Sequence, residues 1–113
     1  KLTEAQFKEF VECFKEVYVT VEKFNPTSQG EVSMPYSYQV VDSLIKAAKE
    51  AGADYCVDIY PFYGSDAEAT LRGGYDLRHG LIGSGVYASH GYERSHKDGV
   101  GNCLKLLEKY LAK

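Results

Sequence analysis

From residue 36 onward the apolar residues switch repeatedly between helical spacing and short continuous runs, and this switching constrains the fold more than any other feature. Val40, Val41, Leu44, Ile45 and Ala48 mark a helix that stops at Gly52. "YCVDIYPF", residues 55–62, reads as a buried strand. "SDAEATLR" opens with Ser65 and places Glu68 three residues on, the order of a capping box, and that helix ends at Gly73 and Gly74. "LRHGLIG", residues 77–83, reads as a second strand. Ser95 and Asp98 form another capping pair before Val100, Cys103, Leu104, Leu107 and Leu111, the stripe of a last helix. Strands alternating with helices define an α/β class, a mixed or parallel sheet flanked by helices, because each crossover helix must bury its stripe on a sheet face.

The first part of the chain is more ambiguous. Phe7, Phe10, Val11, Phe14, Val17, Tyr18 and Val21 give helical spacing over residues 3–23, opened by Thr3 with Gln6 as a capping box. The β-branched "VYVTV" weakens its second half, so a shorter helix followed by a strand over residues 17–22 is the alternative. "NPTSQGE", residues 25–31, has the composition of a linker and is the expected seam. "VSMPYSY" allows a short extended piece interrupted at Pro35. The expected division is an N-terminal helical segment and linker over 1–30 and an α/β segment over 31–113.

Thirteen basic against 16 acidic residues give a net charge of -3, which supplies no basic field for tracking phosphates, so nucleic acid is not an expected partner. No apolar run approaches the roughly 20 residues of a membrane helix, and the N-terminus lacks the order of a signal peptide. The expectation is a soluble, cytoplasmic protein without a membrane partner. Cys13, Cys56 and Cys103 are widely spaced in apolar patterns, which reads as reduced core thiols rather than a disulfide or zinc framework. They have no obvious activating base, so thiol catalysis has little support. The first residue is a lysine, which fits a piece of something longer.

In an open α/β sheet, sites gather beyond the carboxyl ends of strands, where loops meet helix N-termini. Two segments qualify: "FYGSDAEA" and "GVYASHGYERSHKDG", residues 85–99. Gly64, Ser65 and Asp66 have a simple structural reading as turn, helix cap and first-turn acid. A Ser65, Asp66 and His90 triad is disfavoured, because adjacent residues point in different directions and a triad is defined by geometry. "GLIGSGV" lacks the glycine order of a dinucleotide site. The spacing of His90 and His96 matches neither a helical zinc motif nor a local metal clasp. His79 reads as a packed histidine within a strand and His96 as an exposed residue at a helix start. His90 sits just past a strand, where a ligand or base would belong.

Taken together, "AAKEAGADYCVDIYPFYGSDAEATLRGGYDLRHGLIGSGVYASHGYERSHKDGVGNCLKLLEKYL" resembles the C-terminal part of the glutamyl or deblocking aminopeptidases, dinuclear metallopeptidases that often form tetrahedral dodecamers. The resemblance rests on Gly-Ser-Asp-Ala at residues 64–67, the helix and strand that follow, Tyr87 near Ser89 and His90, then Asp98 and the leucine-rich helix; it covers residues 31–113. Ser65 stands where threonine is usual, and "SHGYERSH" replaces a histidine-serine-proline order.

The resemblance implies hydrolysis of N-terminal residues from a peptide substrate with two divalent metal ions, zinc or cobalt, and a homo-oligomer. By position His90 matches the last metal ligand. Gly64, Ser65 and Asp66 would lie near the site wall, and Tyr87, Gly91 and Glu93 would shape the neighbouring loop. The family's other ligands and its catalytic glutamate have no counterpart here, which implies a C-terminal segment inactive by itself. A small non-catalytic α/β binding or oligomerisation module is the competing expectation, prompted by ten tyrosines.

Overall fold

The computed structural model describes residues 2–27, 30–61 and 66–112. Its elements are α1 (Glu4–Glu12), β1 (Val17–Thr27), β2 (Gly30–Pro35), α2 (Tyr38–Ala51), β3 (Tyr55–Pro61), α3 (Asp66–Arg72), β4 (Leu81–Ser84), β5 (Val86–Tyr87), β6 (Arg94–Ser95) and α4 (Lys97–Leu111).

The β-branched stretch resolves the ambiguity of the N-terminal part in favour of the shorter helix. Thr3 caps α1 with Gln6 in the expected reciprocal box. The helix then gives way to β1, since Val17, Val19 and Val21 suit a pleated half-buried surface better than a helical turn. The described residues of the stretch 25–31 belong to strands rather than to a linker: 25–27 end β1 and 30–31 begin β2, paired from Glu22↔Pro35 through Thr27↔Gly30 in antiparallel register. Pro35 ends β2, as a residue without a backbone donor should.

β1 is the axis of the sheet. One edge pairs in parallel with β3, from Val17↔Tyr55 to Phe24↔Pro61, with a register shift between Thr20 and Glu22 that leaves Val21 as a bulge. The other edge serves β4 over Val17–Thr20 and β2 beyond it, both antiparallel. The sheet is therefore mixed.

Strand alternation sends Val17 and Val19 to one face, where both are fully buried beneath α2 and α4. Val41, Leu44 and Ala48 of α2 and Leu106 of α4 complete this core. Gly52 caps α2 in the left-handed conformation (φ 68°), as its place after the last periodic residue predicts. Asn102 joins three segments: its Oδ1 accepts from the Asp54 backbone N–H at 3.2 Å and its Nδ2 donates to the Lys15 carbonyl at 2.7 Å. A close approach holds α4 beside the turn after α1, for a Cβ at Gly99 would collide with the Phe14 carbonyl oxygen.

Two expected strands come out differently. β3 is an edge strand among the described residues, and Val57 and Ile59 are 45% and 52% exposed because α2 and α4 lie over β1 and β4 instead. The expected strand over 77–83 shortens to Leu81–Ser84. Residues 75–80 run outside the sheet, where the His79 carbonyl accepts from the Ser37 N–H at 3.0 Å and so ties the segment to the start of α2.

Candidate functional site

The candidate site is the β5–β6 hairpin, which follows β4 and leads into α4. Val86↔Ser95 and Tyr87↔Arg94 pair across it, and the Ser95 hydroxyl donates to the Gly85 carbonyl at 2.9 Å. This use of Ser95 corrects the expected cap. The α4 N-cap is His96, whose Nδ1 accepts from the Asp98 N–H at 3.0 Å, a role its ring nitrogen performs as a serine oxygen would.

The loop between the strands has a fixed backbone. Ala88 and His90 both occupy positive φ, 58° and 66°, and the Gly91 N–H donates to the Ala88 carbonyl at 2.9 Å. The Glu93 carboxylate accepts the His90 N–H at 3.0 Å. Two non-glycine residues at positive φ in a six-residue loop cost local free energy, the kind of strain found at binding sites. Tyr87, His90, Gly91 and Glu93 are thus brought together on one exposed hairpin. Asp66 opens α3 and is exposed, while Gly64 and Ser65 lie outside the described residues.

The three histidines have separate fates. His79 is buried with its ring centroid 4.6 Å from that of Tyr36, packed as expected but just before β4 rather than within a strand. His96 is committed to its cap. His90 is exposed, and among the described residues its imidazole makes no hydrogen bond or ion pair. It is the imidazole with both nitrogens free for a ligand.

Side chains that sequence reasoning did not single out surround this hairpin. Ser89, beside His90, borders an open cleft of about 460 Å³ with Phe14, Tyr18, Thr20, Asp58 and Leu81. The Tyr18 hydroxyl donates to the Cys13 carbonyl at 2.6 Å. Burial of the phenol pushes Tyr18 up to about 12 from 10.0, with Cys13, Cys56, Glu16 and Asp58 adding to the rise. The three cysteines are free thiols but not core residues: Cys13 is exposed, and Cys56 and Cys103 are partly buried, where burial raises their thiols, an unreactive setting. Strand alternation opposite the Val17 and Val19 face was the available signal for Tyr18 and Thr20; Asp58 follows by its register with Thr20.

Among the described residues no group of three or more His, Cys, Asp or Glu side chains stands close enough to hold a metal ion. Among the described residues His90 stands as a single donor, fewer than the several ligands a dinuclear centre requires. No helix among the described residues is long and apolar enough to cross a membrane.

The mixed sheet with its flanking helices, and the polar hairpin between β4 and the C-terminal helix, make this an α/β protein of the kind its residues suggested. The profile of the M42 glutamyl aminopeptidases matches residues 27–106, more than half of the chain, taking in β2, the hairpin and most of α4. The chain belongs to the M42 glutamyl aminopeptidase family. It is also similar to "Putative aminopeptidase YhfE" of Bacillus subtilis (strain 168), 47% identical over 81 residues, which make up 72% of this chain. The chain spans about a quarter (23%) of that curated relative's length.

Proposed function

We propose that this chain is the C-terminal segment of a cytoplasmic metal-dependent aminopeptidase that removes N-terminal residues from peptides, and that His90 is one ligand of its metal centre. The observation that carries the reading is the uncommitted imidazole of His90, exposed on a loop whose backbone is fixed by Glu93 and by two positive-φ residues. Membership of a peptidase family gives that imidazole its chemical context. The remaining ligands and the catalytic glutamate are supplied from outside the residues described, so the 113 residues alone neither hold two metal ions nor hydrolyse peptides. His90 would be this chain's donor to that centre, where zinc or cobalt ions would supply polarisation of the scissile carbonyl and a lowered pKa for the attacking water. What this chain contributes is positional: Glu93 orients the loop, Tyr87 and Arg94 close it, and Ser95 fastens its base to Gly85. Family membership would give the site wall to Asp66 and to Gly64 and Ser65, the last two outside the described residues, and Gly91 completes the loop's turn.

Hydrolysis of aminoacyl anilides tests this directly. The aminopeptidase carrying this segment should lose at least a hundredfold in activity on His90→Ala, and the 113-residue chain should show none. Unchanged activity in the variant, or turnover by the chain alone, would remove His90 from the proposed site.

A second reading, a homo-oligomeric binding module, is favoured by one observation. Val100, Leu104, Leu107 and Leu111 are all exposed along α4 at the spacing of a helix-pairing seam. Sedimentation of the chain with Leu104→Lys decides it, since a wild-type monomer at high concentration contradicts self-association through this face.

A further inference from the structure

The hairpin borders a second open groove of about 460 Å³, on its α1 side. Phe10, Phe14 and Tyr87 give it an aromatic wall, with Phe10 edge-on to both other rings at 4.9 and 6.3 Å between centroids. Arg94 and His96 stand on the same lining. His96 is engaged by its cap, but Arg94 is not neutralised. Among the described residues no carboxylate lies within ion-pair distance of its guanidinium, which sits over the Tyr92 ring, 5.9 Å from the centroid.

An unpaired guanidinium beside an aromatic wall suits a ligand that joins an apolar body to a carboxylate. The planar fork takes both carboxylate oxygens, and the rings take the body. We propose that this groove binds the C-terminal residue of a short peptide, its apolar side chain against Phe10, Phe14 and Tyr87 and its α-carboxylate on Arg94. The peptide assignment rests on the aminopeptidase reading above.

Position along the hairpin adds a length limit. Tyr87 and Arg94 are the pair that closes it, and His90 lies in the loop between them. At about 3.3–3.6 Å per extended residue, the segment from His90 to Arg94 reaches at most roughly 14 Å, which a peptide of two to four residues spans.

The test is binding to the 113-residue chain, read by NMR shifts of the hairpin amides, with N-acetyl-Ala-Phe, its C-terminal amide and 3-phenylpropanoate as probes. The acid should bind at least fivefold more tightly than the amide. Arg94→Gln should erase that ratio and Arg94→Lys should keep part of it. Equal binding of acid and amide, absence of binding by both, or an acid preference that survives Arg94→Gln overturns the proposal. Should Arg94→Gln fail to fold, the wild-type acid-to-amide ratio still decides. The simple acid should bind more weakly than the acetyl dipeptide; equal affinity overturns the peptide assignment. None of these readouts requires metal, so their failure leaves the His90 test standing, and failure of the His90 test leaves the carboxylate result intact.

Discussion

The layer formed by α2, α4 and β1 and the β5–β6 hairpin are opposite kinds of structure. In the layer, Val17, Val19 and Leu106 are completely buried and Asn102 satisfies two backbone groups from distant segments. Residues 86–95 of the hairpin are exposed throughout, and two of them hold strained backbone conformations. Burial stabilises the first region, whereas the second holds costly backbone conformations in an exposed loop.

The contrast breaks if core and hairpin substitutions have similar costs. Leu106→Ala should have the largest effect, about 2–5 kcal/mol lost in urea unfolding, because it empties space at the junction of both helices and the sheet. Asn102→Ala should follow at about 2–3 kcal/mol, since it orphans the Asp54 N–H and the Lys15 carbonyl.

Tyr18→Phe should cost about 1 kcal/mol near neutral pH, the value of one hydrogen bond to Cys13. It also has a pH signature. Below pH 10 the phenol is protonated in both states; between 10 and about 12 the unfolded chain releases the proton while the native chain keeps it. Unfolding then liberates a proton, so wild-type stability falls as pH rises through that window, and Tyr18→Phe should flatten the fall. The smallest effect belongs to the hairpin: His90→Ala should change stability by less than about 0.5 kcal/mol, as exposed positions do.

How much the sequence disclosed follows the same division. Helical spacing located α2 and α4 and the glycine stop at Gly52, because a periodic stripe and its cap are local signals. The end of α1 and the start of β1 were legible only as alternatives, since "VYVTV" satisfies both periods until pairing with β3 and β4 selects the strand. The β1–β2 pairing was hidden because the proline, glycine and small polar residues of 25–31 have the composition of a linker, although Pro26↔Glu31 and Thr27↔Gly30 pair. Exposure of β3 could not be read from apolar content, which fixes what a strand is made of but not what lies over it.

At the site, the separation of His90 from His96 was legible from position, and the cap on His96 strengthens it. The role of Arg94 was not, because it depends on Phe10 and Phe14 arriving from the far end of the chain.

Metal stoichiometry, measured by mass spectrometry on the aminopeptidase carrying this segment and on its His90→Ala variant at equal folded concentration, probes the division most directly. The expected result is loss of about one metal ion per chain with an unchanged unfolding midpoint. Full metal occupancy in the variant, or metal loss only alongside unfolding, would contradict the placement of His90 in the metal site.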